Sequence, residues 1–590
     1  MDDIWSDKPG LPQVDWMAID REVSLTARKY ALKNAVDYGK AHEGSVLNKV
    51  ISLYPEQKSD IKSLAKEVSR IVAEVNSLGK EALESEYKSF ESEFAEEQKV
   101  KLEKTANPSM DLEGAVQGEF ATRYPPAPNG YMHIGHAKAL FLESESARRY
   151  NGRLFLYFDD TNPEKDKQEF VDKFHEALEW LNVKFDKEYY ASDSMDRIYE
   201  SARILISNGD AYACSCSADQ IKDGRFNRKA CSHREKPASE SLGQFEDMLS
   251  GKYNENEMII RFKGDMASEN TTLRDPTLLR IKNDSHYRQG AKYCVWPTYD
   301  LNTPVMDSLN GVTDVLRSKE FELRDDLARM ILEKLSLRVP RIHSFSRLVI
   351  KGNITHKREL NALIKEGEIS GFDDPRLVTI VALRRRGILP DAIRNFVLKL
   401  GMTKTDGTVS IDALLAENKK LIDPIAKHLF FVASPREVIV DGVDSLEIKL
   451  KLHPSSDMGF REYKIGRRLF ISGEDADGLK DGDTVRLKDL MDIRIISIGS
   501  TIKAQRSAEV QRGRIIQWVS EGNFMECSVS IPETPLDDNG KFDKESMNIA
   551  KGYVEKYAKE INEHEIVQFE RFGYCILDKK ASNEFILTQK

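Results

Sequence analysis

His133 and His136 lie three residues apart with Gly135 between them, in the stretch RYPPAPNGYMHIGHAKAL, residues 123–140. Imidazoles at a helix start can donate to a phosphate, where unpaired N–H groups and the helix dipole also favour an anion. Lys357 lies in FSRLVIKGNITHKREL, a stretch that taken alone reads as a basic surface loop. Asp159 and Asp160 end the apolar run GRLFLYFDD, at the carboxyl end of a strand, where ligands of a parallel sheet sit. The plainer reading for Asp160, Thr161 or Asn162 is a cap for the following helix. Cys214, Cys216, Cys231 and His233 follow a Cys-x-Cys-x14-Cys-x-His pattern. That is a donor set for tetrahedral zinc, and four protein ligands make such an ion structural rather than catalytic. The alternative is reduced cysteines in a small core. Cys294, Cys527 and Cys575 stand alone and read as core or surface thiols.

Such groups need a scaffold. Tyr-Pro-Pro-Ala-Pro is stiff and extended, because proline fixes φ and restricts the residue before it. Asn129-Gly130 signals a turn, and from Gly135 onward Ala137, Ala139 and Leu140 recur at helical spacing. The predicted order is strand, stiff turn, helix. KQEFVDKFHEALEWLNV is an amphipathic helix, with Phe170, Phe174, Leu178 and Leu181 on one face. Strands alternating with helices imply a parallel sheet, whose ligands sit beyond the carboxyl ends of its strands. Residues 1–112 read as a charged helical extension. The α/β pattern runs over 113–210, is interrupted over 211–290, and returns over 291–350. Residues 351–428 read as helical, and 429–590 as short strands and turns forming one or two antiparallel β-barrels. The expected fold is multidomain, α/β plus β.

The 590 residues are enough for several domains, and 40% hydrophobic with 31% charged residues suits a globular chain. No apolar run is long enough to span a membrane, and the acidic start MDDIWSDKPG is no secretory signal. Six cysteines point to a reducing compartment, and so to the cytoplasm. A net charge of −9 argues against a wholly basic nucleic-acid binder but leaves room for basic spots such as Arg384 to Arg386 and AQRSAEVQRGR.

Arg-Tyr-Pro-Pro-x-Pro-x-Gly-x-x-His-Ile-Gly-His resembles the ATP-binding signature of class I aminoacyl-tRNA synthetases, in the form of the glutamyl and glutaminyl enzymes. FSRLVIKGNITHKREL is similar to their mobile Lys-Met-Ser-Lys-Ser-like loop, with the phosphate-reaching lysine at Lys357; Thr355 and His356 depart from the pattern. LYFDDTNPEKDKQEF resembles their Arg-Phe-Asp-Asp-Thr-Asn-Pro segment, with Tyr157 in place of the arginine. VWPTYDLNTPVMDSLNGVTDVLRSKEF resembles the segment that meets the substrate side chain.

The resemblance implies a Rossmann-like catalytic domain with an inserted domain for the tRNA acceptor end, a helical connector and anticodon-binding barrels. It implies Pro125, Gly130, His133, Gly135, His136, Arg347, Leu348 and Lys357 at ATP, which travels with Mg²⁺, and His133, His136 and Lys357 as the catalytic set. It places Arg123, Asp159, Tyr299, Thr303 and Arg317 at the amino acid. Arg317 stands where glutamyl enzymes carry an arginine, and a γ-carboxylate needs such a partner while an amide does not. An unpaired buried guanidinium would penalise glutamine by roughly 3–5 kcal/mol. The bland reading of Arg317 is a structural pair with Asp314 or Glu320. Many relatives carry a Cys/His cluster like the one at 214–233 in the inserted domain. The expected activity is ATP-dependent attachment of L-glutamate to tRNA(Glu), with tRNA(Gln) as a second acceptor left open, by an archaeal-type and usually monomeric enzyme. A glutaminyl enzyme and a catalytically silent tRNA-binding relative are the rivals.

Overall fold

The computed structural model describes residues 21–54, 61–90, 94, 110–354, 356–508 and 514–590. The sequence readings for residues 1–20, 55–60, 91–93, 95–109, Thr355 and residues 509–513 lie outside these. The chain divides into two compact units, Met1–Asn107 and Pro108–Lys590.

The first unit is helical: α1 (Arg21–Tyr38), α2 (Glu43–Leu53), α3 (Ile61–Asn76) and α4 (Lys80–Lys88). Leu64, Val68, Ile71, Val72 and Val75 recur at helical spacing along α3 and pack against Ala27, Ala31 and Leu32 of α1 and Val46 and Val50 of α2. Arg28 ties the helices together, donating to Glu86 at 2.7 Å and to Glu74 at 3.1 Å.

The second unit begins with β1 (Ala121–Tyr124), α5 (Ile134–Arg149), β2 (Arg153–Phe158), α6 (Gln168–Trp180) and β3 (Lys187–Tyr190). The three strands are parallel, with Ala121 opposite Arg153 and Phe155 opposite Lys187. Every residue of β1 and all but the first of β2 are buried, as helices on both faces of a parallel sheet require. After α7 (Met195–Ser207) the chain leaves this sheet for β4 (Ala211–Cys214), α8 (Ala218–Phe226), α9 (Ala238–Leu249), β5 (Ile259–Phe262), β6 (Thr277–Ile281) and β7 (Val295–Pro297). β4 to β7 form an antiparallel sheet in chain order, which interrupts the parallel pattern as expected but runs on to Pro297, past residue 290 where the insertion was expected to end.

The parallel pattern returns through α10 (Tyr299–Leu309), β8 (Asp314–Ser318), α11 (Asp325–Lys334) and β9 (Arg341–Phe345). β8 and β9 pair in parallel. Thr313 N–H donates to Ala121 O at 2.8 Å, which sets β8 beside β1. The carboxyl ends of β1, β2 and β8 therefore bring Tyr124, Phe158 and Ser318, with the residues that follow, to one edge.

Next come β10 (Leu348–Ile350), α12 (Lys357–Lys365), α13 (Ile380–Arg385), α14 (Pro390–Leu400), β11 (Gly407–Val409) and α15 (Ile411–Ile422). Ile388, Ile393, Phe396 and Leu414 share one core with Leu140 of α5 and Leu156 of β2, so these helices and the parallel sheet form one body. The remainder is two barrel-like seven-stranded sheets and a separate antiparallel pair, Leu446–Lys451 with Phe460–Ile465. Most of their pairs are antiparallel, as expected, but four are parallel: Lys427–Leu429 with Val567–Phe569, Val438–Asp441 with Ile502–Gln505, Arg486–Leu487 with Ile515–Ile516, and Ser528–Ser530 with Glu584–Ile586. Among the described residues, no helix is long and apolar enough to cross a membrane.

Candidate active site

The proline loop is clamped before it reaches the histidines. Asp159 N–H donates to Pro126 O and Lys167 N–H to Pro128 O, both at 3.0 Å, tying the loop to the end of β2 and the start of α6. Across from it, Ile134 N–H donates to Val378 O (3.0 Å) and Ile380 N–H to Met132 O (2.8 Å). Pro125 is half-buried at the start of this loop.

His133 caps α5. Its Nδ1 accepts from Gly135 N–H at 3.0 Å, and His136 Nδ1 accepts from His133 N–H at 3.2 Å. The rings stack with centroids 3.9 Å apart. A ring nitrogen that accepts carries no proton, so each neutral imidazole bears its hydrogen on Nε2 and can donate there. Burial pushes His133 down to about 4, with Arg347 and His356 adding to the effect. Burial, then His133, holds His136 well below the usual histidine range. The pair is thus neutral. The structure also corrects one expectation: the Ile134 and Gly135 N–H groups are already engaged, so the donors left at this corner belong to the side chains. Gly135 has a steric reason, because a Cβ there would stand 2.8 Å from His133 Cε1.

Lys357, the first residue of α12, donates to Asn129 O and lies 4.3 Å from the centre of the Phe170 ring. Burial, followed by the charge of Lys167, lowers its pKa. His133, His136, Asn129, Gly130 and Lys357 line a cleft of about 210 Å³, with Tyr131 stacked on Phe372 at 4.3 Å on its wall. Arg347 is exposed, 3.9 Å from Glu320, and Leu348 is buried at the start of β10. Lys138, missed in the sequence, holds this segment to α5. Its Nζ donates to Ser346 O at 2.6 Å and Ser346 Oγ at 3.1 Å, and burial lowers its pKa to about 8.

The second group lies toward α10 and β8. Tyr299, Asn302 and Thr303 share one face of α10 at i, i+3 and i+4. Asp159 Oδ1 accepts from Asn302 Nδ2 at 2.8 Å and Thr161 Oγ1 at 3.1 Å, which leaves Oδ2 for another donor. Asn302 in turn accepts from Tyr157 OH at 2.9 Å. Burial raises the Asp159 pKa. Asp160 is no helix cap, nor is Thr161 or Asn162, since α6 begins at Gln168 with Lys167 before it. Asp160 instead accepts from Ser192 N–H (2.8 Å), Ser192 Oγ (2.7 Å) and Tyr287 OH (2.9 Å), inside the fold.

Both arginines are occupied. Arg123 is 2% exposed, and its Nε donates to Asp307 at 2.7 Å, with Glu143 at 3.9 Å. Arg317 donates from Nη1 to Tyr299 OH at 3.2 Å and from Nη2 to Asp325. Its partner is neither Asp314, which holds Arg341 and His343, nor Glu320, which accepts from Ser318. Eight residues separate Arg317 from Asp325, with a short 3₁₀ segment between, so no local spacing rule marks the pair.

Cys214, Cys216, Cys231 and His233 come together, with all ligand atoms within 4.8 Å of one another. Cys214 Sγ lies 3.8 Å from Cys231 Sγ and 3.6 Å from His233 Nδ1, and Cys216 Sγ lies 3.4 Å from the same nitrogen. Tetrahedral zinc with bonds of about 2.3 Å to sulfur and about 2.0 Å to nitrogen produces separations of this size. Ser215 Oγ lies 3.1 Å from His233 Nε2, which leaves Nδ1 facing the sulfurs, and Arg261 Nη1 donates to Cys231 Sγ at 3.7 Å.

Comparison with known proteins bears on the whole chain. The description "tRNA synthetases class I (E and Q), catalytic domain" matches residues 119–424, and the anti-codon binding domain descriptions of the same synthetases match 426–510 and 515–578. The glutamate–tRNA ligase of Nitrosopumilus maritimus is 38% identical, covering 97% of this chain and 100% of its own length. That of Cenarchaeum symbiosum is 40% identical, covering 94% and 97%, and that of Pyrococcus furiosus 39% identical, covering 96% and 99%. The chain belongs to the class I (E and Q) tRNA synthetases and, among them, to the archaeal-type glutamate–tRNA ligases.

Proposed function

We propose that the protein attaches L-glutamate to tRNA(Glu) at the cost of ATP. The activity is supported by the relatives' shared name and by end-to-end similarity. The observation that carries the choice of amino acid is Arg317, a nearly buried guanidinium bonded to Tyr299 OH at the carboxyl end of β8. A γ-carboxylate matches that group in charge and geometry, and an amide does not.

ATP takes the cleft at His133, His136 and Lys357, with Gly130 on its wall, Pro125 and Gly135 holding the course of the loop beside it, and Arg347 and Leu348 bordering the adenine. Mg²⁺ accompanies the nucleotide. An oxygen of the glutamate α-carboxylate forms the bond to the α-phosphorus, and diphosphate leaves. A hydroxyl of the terminal tRNA ribose then takes the carbonyl carbon, and AMP leaves. No side chain forms a covalent bond. The two Nε2–H groups and the Lys357 ammonium stabilise charge as it develops on the phosphates, and the clamped loop holds the geometry. Asp159 Oδ2 receives the α-ammonium, Tyr299 and Thr303 line the side-chain pocket, and Arg317 takes the γ-carboxylate. Arg123, whose Nε is on Asp307, is the second cation assigned to that carboxylate.

Cys214, Cys216, Cys231 and His233 hold a structural zinc ion that cross-links β4 to the segment before α9. The protein works as a cytoplasmic monomer. Charging of purified tRNA(Glu) and tRNA(Gln) with labelled glutamate tests the reading. Glutamate on tRNA(Glu) is expected, and its appearance on tRNA(Gln) as well identifies a non-discriminating enzyme. No charge on either, from folded protein, overturns the proposal.

A further inference from the structure

Arg317 is not waiting for a ligand. Its Nη1 is on Tyr299 OH, its Nη2 is on the carboxylate of Asp325, and its Nε is buried without a protein partner. A bidentate carboxylate needs two parallel N–H groups on one edge of the guanidinium, and Asp325 occupies one of the two Nη donors. A cavity of about 20 Å³ also borders Arg317, between Thr303, Asp307 and Ala328, but neither Tyr299 nor Asp325 lines it, so what stands on the Tyr299 side of the guanidinium is Asp325 itself.

The two arginine–aspartate pairs differ in a way that identifies the movable one. Asp307, facing Arg123, is 4% exposed and enclosed on α10. Asp325 is 26% exposed and is the first residue of α11, where the helix dipole favours a carboxylate with or without Arg317. Arg329, four residues on and exposed, is within reach on the same helix face. Asp325 therefore has somewhere to go, and Asp307 does not. The segment delivering Asp325, Lys319–Arg324, also lays Phe321 against the Tyr299 ring at 5.1 Å and pairs Arg324 with Asp300. Its Leu323 carbonyl is held by Asn270 Nδ2 at 2.7 Å and Thr272 Oγ1 at 2.5 Å, both from the inserted domain.

We infer that Asp325 is an internal stand-in for the substrate carboxylate, which closes the side-chain pocket of the free protein and must exchange with glutamate on binding. The inference rests on the assignment of Arg317 to the γ-carboxylate. Glutamate binding then includes the work of displacing Asp325, and a neutral glutamine amide cannot carry out that exchange. The hold of the inserted domain on Leu323 places the stand-in under the influence of whatever binds that domain.

Steady-state charging with full-length protein tests this. In Asp325→Asn, which keeps the shape and removes the charge, KM for glutamate falls by about tenfold while kcat and KM for ATP stay within about twofold. Asp325→Ser, with a smaller side chain, shifts in the same direction, and thermal unfolding of both variants checks that they are folded. A glutamate KM that rises or stays unchanged in the folded variants overturns the inference, because Asp325 would then be a support for Arg317. Arg317→Ala is run alongside. If it charges glutamate with wild-type KM, the assignment of Arg317 has failed, which is distinct from failure of the stand-in.

Discussion

The cleft proposed for ATP and the pocket proposed for glutamate lie at the same edge of one parallel sheet but are prepared in opposite ways. In the cleft, backbone groups fix both histidines from their Nδ1 side, burial keeps them neutral, and about 210 Å³ stands open beside Lys357. In the pocket the charged groups are satisfied by other residues: Arg123 by Asp307, Arg317 by Asp325, and Asp159 in part by Asn302. Under the proposed function, charge in the cleft is held in reserve for a transition state, and charge in the pocket is neutralised internally until a matching carboxylate replaces the stand-in. The first then gains rate from preorganisation, and the second gains selectivity from the work of opening.

Lys357→Ala tests the cleft most severely. Its loss should lower the charging rate on the order of 10²–10³-fold with the unfolding midpoint kept, as for removal of a single preorganised charge donor. A fall below about fivefold would mean that the cleft relies on the histidines alone. On the pocket side, Asp159→Asn should raise KM for glutamate by about thirtyfold, with KM for ATP nearly unchanged, because the ammonium loses its charged partner. Equal damage to both KM values would erase the distinction between the sites.

The Cys/His cluster lies outside both and should behave so. Zinc analysis of purified protein is expected to find the metal. Cys216→Ser should lower its content and the unfolding midpoint by about 2–4 °C, with KM for ATP kept, as for a loss of roughly 1 kcal/mol. Absence of zinc in protein that is fully active would return the cluster to a set of reduced thiols.

The smallest effect is in pH. Burial lowers Lys357 from its ordinary 10.5, and the ammonium is the useful form, so kcat/KM for ATP should decline with rising pH before an ordinary lysine would titrate. His133 is depressed from 6.5 to about 4, so its neutral form persists through mildly acidic solution. No step near pH 6.5 is expected in the same profile. A bell centred on the histidines would mean that imidazolium, not imidazole, faces the phosphates.

What could be read from the sequence was what short-range physics controls. Prolines, a turn pair and helical spacing locate β1, the loop and α5, and the Cys-x-Cys and Cys-x-His pairs locate a cluster that the fold then closes. Partners set by tertiary packing were not legible. Asp325 rather than Asp314 or Glu320 faces Arg317, because a 3₁₀ segment turns the chain back over Tyr299. Asn302 and Lys138 belong to the site through strands and loops far away in the chain, Asp159 in one case and Ser346 in the other. The parallel pairs within the C-terminal sheets were missed for the same reason, since alternation reveals a strand and not its neighbour.

The most direct test is parallel charging of tRNA(Glu) with labelled glutamate and labelled glutamine by the wild type and by Arg317→Ala. The wild type should charge glutamate alone, and the variant should lose glutamate charging by about 10²-fold or more while still binding ATP, as for a truncated buried charge pair. Glutamine charging by the wild type, or glutamate charging unchanged in the variant, would contradict the account.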